Sequence, residues 1–318
     1  MRRRELIALG SAVVWPRAAL TREPGKIYRI GWLGPLTGVP AEFRDALREF
    51  GWIEGKTVVF EVRQAEGRRE QLPDLATDLV RSNVDIIVAQ APAGIRAPKQ
   101  ATTTIPFVMA FWGGPDLVHS GIVASHARPG GNITGIQMLL FALNAKRLDL
   151  LHQAVPSARK IAVLVPDRAP GNEVQLPPVR HVARERGLEL QIVDVRENGG
   201  YEGAFDAIVK IGAHALLVMD SPDFARDRKL IIELAARQRV PAMLFADGSA
   251  REGALIGYSV TRAELYRMTA RFVEVILKGA KPADLPVEQP TKFVLGINLK
   301  TAKELGNTIP PALLAYAD

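Results

Sequence analysis

Ile27-Tyr28-Arg29-Ile30-Gly31-Trp32-Leu33, the helical-period segment Ala41–Phe50, and Thr57-Val58-Val59-Phe60-Glu61-Val62-Arg63 follow one another within 37 residues and decide the fold. The outer two are short apolar runs of strand length, and the middle one is long enough for a crossover helix. Two strands joined through a helix must run parallel, because a helical crossover returns the chain to the same edge of the sheet. This is a βαβ unit.

The same alternation continues. Strand-like runs recur at Val84–Ala89, Pro106–Phe111, Asn132–Ile136, Lys160–Val165, Leu188–Val195, Ala213–Met219, Pro241–Ala246 and Leu255–Tyr258. Helical periods fall at Glu70–Arg81, Asn144–Ala154, Glu173–Arg186, Tyr201–Ile211, Phe224–Arg239 and Arg262–Lys278. Ten strands exceed one comfortable doubly wound sheet, and the second half repeats the spacing of the first. The expected class is α/β, with two doubly wound parallel-sheet lobes joined by a hinge. Lobe 1 is expected over 26–142 with a return over 257–282, and lobe 2 over 143–256 with 283–318. The join is placed near Phe141–Leu143, after the turn-rich Pro129-Gly130-Gly131-Asn132. An α/β barrel is the rival, ranked second because the elements never settle into an eightfold period.

Composition narrows the function. The 318 residues are 47% hydrophobic and 24% charged, the balance of a core-bearing globular chain. The net charge is +7; residues 1–23 hold five arginines against two glutamates, a net of +3, which leaves +4 for the rest. No basic stripe with interleaved aromatics occurs, so no nucleic-acid partner is expected. The chain has no cysteine, which excludes disulfides, thiolate nucleophiles and Cys-ligated metal centres.

Arg2-Arg3-Arg4, the apolar run Leu6–Trp15 and the small pair Ala18-Ala19 have the order of a secretory signal. The paired arginines also match a twin-arginine signal loosely. Residues 1–25 are expected to direct export to the periplasm, although Arg17 and Leu20 interrupt the small-residue pattern around the break.

Familiar catalytic motifs do not hold. Gly51-Trp52-Ile53-Glu54-Gly55-Lys56-Thr57 is one residue short of a phosphate loop and runs helix to strand, the reverse of that motif's context. No Gly-x-Gly-x-x-Gly follows a strand, and no Gly-x-Ser-x-Gly elbow exists. The five histidines form no ligand pair at helical spacing. No cofactor, metal or catalytic residue is therefore assigned.

Open parallel sheets bind ligands beyond the carboxyl ends of their strands. The residues there are Leu36 and Thr37; Gln90, Ala91 and Ala93; Trp112, Gly113 and Asp116; Asp167; Asp220 and Ser221; Asp247; and Tyr258. Trp112 and Tyr258 offer flat apolar faces, the three lobe-2 acids suit an ammonium or hydroxyl, and helix N-termini favour a carboxylate. A small aromatic or carboxylate-bearing solute is the expected ligand.

Several strings carry a family resemblance: Phe43–Glu61, Lys99–Pro106, Ala-Arg-Pro-Gly-Gly-Asn-Ile-Thr-Gly at 127–135, Lys146-Arg147-Leu148, and Leu-Pro-Val-Glu-Gln-Pro-Thr-Lys-Phe at 285–293. The chain resembles, over nearly its whole length, the ABC transporter substrate-binding proteins that include tryptophan- and tyrosine-type binders. The resemblance implies a type I periplasmic-binding fold with three interlobe crossings, a small-molecule solute, and delivery to an ABC permease in the inner membrane. With no cysteine to carry a lipid anchor, a free periplasmic protein is expected, and a monomer suits a hinged fold. Two positions depart from the family pattern. Ala91-Pro92-Ala93 stands where relatives often read Gly-Thr-Pro, so a hydroxyl for a ligand carboxylate is missing; Pro115 precedes Asp116 where they often read Gly-Asp-Pro. The solute-binding role carries over, and the amino-acid ligand does not. The rivals are a two-lobed enzyme using Asp220 or Asp116 in acid–base work, and a binding protein serving a membrane sensor.

Overall fold

The computed structural model describes residues 25–34, 38–66, 68–114, 116–138, 140–167 and 175–318. The expected export signal, the candidates Leu36 and Thr37, and the expected helix start at Glu173 lie outside these residues.

The opening βαβ unit forms. Strand β1 (Tyr28–Gly34) pairs in parallel with β2 (Val58–Gln64) on one side and β3 (Ile86–Gln90) on the other. Helix α1 (Ala41–Glu49) crosses over with Phe43, Ala46 and Leu47 buried, three residues that helical periodicity sets on one face. Helix α2 (Leu72–Arg81), α3 (Ala91–Ala101), β4 (Phe107–Trp112) and β5 (Ile133–Gln137) complete a sheet ordered β2-β1-β3-β4-β5. Strand order reverses between β1 and β3, which opens a crevice beyond their carboxyl ends.

The second sheet is built from α4 (Leu140–Ala154), β6 (Lys160–Val165), α5 (Leu176–Arg186), β7 (Glu189–Asp194), α6 (Tyr201–Lys210), β8 (Ala215–Val218), α7 (Pro222–Arg226), α8 (Arg228–Arg237), β9 (Ala242–Leu244) and β10 (Ile256–Ser259). The chain then enters α9 (Arg262–Leu277), which packs on α1, β4 and β5 of the first sheet. Finally β11 (Val294–Ile297), α10 (Leu299–Glu304) and α11 (Pro311–Leu314) rejoin the second, ordered β11-β10-β9-β8-β6-β7. Two open sheets replace the rival barrel. Each is covered on both faces, with four apolar clusters divided two to a sheet.

The chain passes between the two sheets three times. Helix α4 already packs on α5, β8 and β9, so the first passage lies just after Gln137. The return begins at Arg262, because Ile256–Ser259 pairs inside the second sheet. It extends to Glu288: Thr134 donates to the Leu285 carbonyl at 2.7 Å, and Glu288 donates its N–H to Gly135 at 3.0 Å.

Three elements differ from the sequence reading. Helix α3 carries Pro92 and Pro98 and was not foreseen; its alanines favour helix, and Pro98 lies in the last turn, where little helix remains to be disrupted. The single helix expected over 224–239 divides at Asp227, whose carboxylate accepts the Tyr201 hydroxyl at 2.7 Å. Strand β11 is an eleventh, antiparallel to β10, and its outer edge is capped by Asp318, which both donates to and accepts from Leu295.

Candidate functional site

In lobe 1, β3 ends on Gln90, a buried amide whose Nε2 donates to the Tyr266 hydroxyl of α9 at 2.6 Å. Gly34 at the end of β1 leaves room for it: a Cβ there would stand 2.8 Å from the Gln90 Oε1. The next residue, Ala91, opens α3 at φ +61, a left-handed conformation that costs an alanine about 1 kcal/mol or more. Strain of this kind persists where surrounding packing fixes it, and here it lies at the crevice between β1 and β3. Ala93 follows, half-buried, in the first turn of the helix.

Strand β4 ends on Trp112, whose ring is wholly buried among Leu33, Ile95, Leu117 and Val123. Gly114 closes over it; a Cβ would stand 2.9 Å from the ring, so only glycine fits. Gly113 is half-buried and Asp116 exposed. The Asp116 carboxylate accepts the His119 N–H at 2.9 Å and lies 3.2 Å from His126, and these contacts hold it below the usual carboxylate range. His126 is bonded in turn to the buried Gln137 side chain at 2.6 Å, at the exit of β5 into the first crossing.

Lobe 2 is organised by Arg147 of α4, a residue with no exposed surface. Its guanidinium meets the Asp220 carboxylate after β8, the Phe245 carbonyl after β9 at 3.4 Å, and the Tyr258 carbonyl of β10 at 2.9 Å. Asn144 accepts from it at 2.8 Å and donates to Gln175 at 3.0 Å. One buried cation thus ties three strand ends. Burial pushes the Asp220 carboxyl up, opposed by the pull of that guanidinium. Ser221 caps α7, accepting the Asp223 N–H at 3.2 Å. Asp167 is paired with Arg196 at 3.2 Å.

Asp247 is less engaged. Its ion-pair partner is Arg251 at 3.7 Å. A cavity of about 480 Å³ opens beside it, over Gly257, Ser259, Val294 and Gly296 of the β10–β11 edge. Tyr258 stacks on Phe293 with centroids 5.4 Å apart and planes at 23°. Those two residues sit on the lobe-2 ends of the second and third crossings.

Of the expected residues, Gln90, Ala91 and Ala93 lie together at the head of α3, Trp112, Gly113 and Asp116 at the β4 exit, and Asp220, Ser221 and Tyr258 on the strand ends tied by Arg147. Asp167 and Asp247 stand apart, paired with Arg196 and Arg251. Sequence reasoning missed Arg147, Asn144 and Gln175. The available signal was phase: Asn144 and Arg147 share the helical face of Leu148 and Leu151, where a polar side chain has to find buried partners.

Two mostly parallel sheets, each covered by helices and carrying polar residues at its strand ends, make a two-lobed α/β protein. The chain matches the ABC transporter substrate binding protein family over residues 38–318 and belongs to it. A tyrosine-binding protein of Clostridioides difficile is 24% identical over 264 residues, spanning 83% of this chain and 75% of that one. The ABC domain from Streptococcus pneumonia in complex with L-Trp superposes with a TM-score of 0.79 at 23% identity, covering 92% of this chain and 99% of its own. A conserved domain protein from Vibrio cholerae gives 0.79 at 26% identity with the same coverage. A ligand-free, open substrate-binding protein from Clostridium difficile gives 0.69 at 21%, covering 90% and 97%. The fold is the two-lobed type I periplasmic-binding architecture.

Proposed function

We propose that the chain captures an aromatic, carboxylate-bearing solute between its two sheets, outside the cytoplasm, and passes it unchanged to an inner-membrane ABC permease. L-tryptophan and L-tyrosine are the first candidates, because relatives that bind them share the fold over most of the chain. The reading is supported by the family match over residues 38–318, together with the polar side chains gathered at the strand ends of each sheet. A solute touching both sets stabilises the closed arrangement by its differential affinity for it. The enzyme alternative loses its acid–base groups: Asp220 is held by Arg147, and Asp116 by the His119 N–H. Action as an exported monomer completes the reading.

A thermal-shift screen of the full chain against amino acids, aromatic acids, purines, sugars and short carboxylates tests it. At 100 times its Kd a true ligand adds about 2.7 kcal/mol of stability. Aromatic carboxylates should give the shift and be recovered intact. Hits confined to sugars or purines, or a hit that is consumed, would overturn the reading.

A further inference from the structure

We propose that Arg96 is a specificity-determining residue that takes the carboxylate of the captured solute at the lobe-1 rim of the cleft. This rests on the reading of an aromatic, carboxylate-bearing ligand and names the group that receives its acid.

Arg96 is the sixth residue of α3, one turn beyond the Pro92-Ala93 pair that heads the helix at the crevice. Side chains on a helix lean toward its N-terminus, so a long one at this position reaches back to the carboxyl edge of the sheet. It arrives there: the guanidinium carbon lies 5.5 Å from the centroid of the Trp112 ring, at the end of β4. Trp112 itself is enclosed, so at this point of the rim the ring supports the cation and Arg96 is the exposed group.

The charge of Arg96 is uncommitted. Arg29, Arg63, Arg147, Arg228, Arg262 and Arg271 each hold a carboxylate, whereas among the described residues none lies within ion-pairing distance of Arg96. Lys99, one turn further along α3, is bound instead to the carbonyls of Gly121 and Ile122, the latter at 2.8 Å. Asp116, the acid of the adjoining loop, is occupied by the His119 N–H and His126. A guanidinium resting on an aromatic face keeps its N–H edge for a ligand, and that edge matches the two oxygens of a carboxylate. The ring also limits the rotamers open to the arginine, so less freedom is lost on binding. This supplies a carboxylate partner where Ala91-Pro92-Ala93 offers no hydroxyl.

The test is calorimetry of the full chain with L-tryptophan, indole-3-acetate and tryptamine, the last lacking a carboxylate, using wild type, Arg96→Gln and Arg96→Lys. Arg96→Gln should weaken L-tryptophan and indole-3-acetate about tenfold or more, the scale of one charge-assisted contact, and leave tryptamine within twofold. Arg96→Lys should fall between, keeping the charge and losing the fork. Arg96→Gln binding L-tryptophan within twofold of wild type overturns the inference while leaving the aromatic ligand in place. So does tryptamine weakened as much as L-tryptophan, because Arg96 would then act only by packing on Trp112. Wild type that binds none of the three probes overturns both readings.

Discussion

Arg147, fully buried on the first helix of lobe 2, forms an ion pair with Asp220, which lies at the end of the β8 strand and is nearly buried. The guanidinium also donates to Asn144 and to the carbonyls of Phe245 and Tyr258, so the pair fixes the relative height of three strand ends. Removing one partner leaves the other charge buried without compensation, at a cost of about 3–5 kcal/mol. Arg147→Met should therefore lower stability by that amount in urea unfolding. The double variant Arg147→Met/Asp220→Leu should recover at least half, because it removes both desolvated charges together. Equal losses in the single and double variants would show that the pair is not the source.

Trp112 and Tyr258 are both aromatic residues at strand ends, yet their surroundings separate stability from binding. Trp112→Ala empties a fully buried site beneath Gly114 and should cost about 3–5 kcal/mol without any ligand present. Tyr258 is half-buried against Phe293, and an aromatic pair of this kind contributes about 0.5–1.5 kcal/mol. Tyr258→Ala should thus lower the melting temperature less than Trp112→Ala and weaken solute affinity more. Melting curves beside calorimetry check this, and it fails if Tyr258→Ala is the more destabilised of the two.

The layer architecture was legible because buried parallel strands write themselves as short apolar runs between helical periods. All ten expected runs match a strand to within two residues at either end. What escaped depended on contacts distant in sequence. Strand β11 has a glycine at its centre and pairs with β10 only because the chain has already crossed to the other layer and returned. The site was legible as positions, since strand ends are fixed by topology, but the state of each side chain was not. Nothing local to Asp220 announces an arginine 73 residues earlier, and nothing local to Trp112 announces that Gly114 will cover it. Arg96 stayed hidden for a related reason. Its helix was itself unforeseen, and without the helix its side chain has no direction.

Gly135 gives a physical reason for part of the Arg-Pro-Gly-Gly-Asn-Ile-Thr-Gly string. It sits in β5 at φ +139, and a Cβ would stand 2.2 Å from the Met109 carbonyl oxygen of β4. Its own carbonyl accepts the N–H of Glu288, so the third crossing rests on the same residue. Gly135→Ala must both strain the backbone and push β5 from β4, and should cost more than about 3 kcal/mol. Hydrogen exchange should show the Ile133–Gln137 amides losing protection first. Unchanged protection would remove the steric account.

The pairing of Glu252 with Arg228 predicts an acid-sensitive hold on the loop that carries Asp247. Arg228 opens α8 and grips both oxygens of Glu252, at 2.5 and 2.6 Å, which pins the segment after β9 to the helix. The guanidinium holds the Glu252 carboxyl below its usual value. Its folded-state pKa therefore lies under the ~4.3 of an unfolded glutamate, and the contribution is fully present above that value. It is lost as pH falls through the lowered folded value. Both side chains are partly exposed, at 26% and 29%, so solvent screening limits the pair to about 1 kcal/mol. Glu252→Gln should be less stable than wild type by about that amount at pH 7. The difference should narrow as pH falls below the unfolded value of ~4.3 and on through the lowered folded value, as the wild-type carboxyl protonates. Urea unfolding at pH 7, 4 and 3 measures it. A gap that stays constant across the three would mean that Glu252 acts through packing, with its charge irrelevant to the loop.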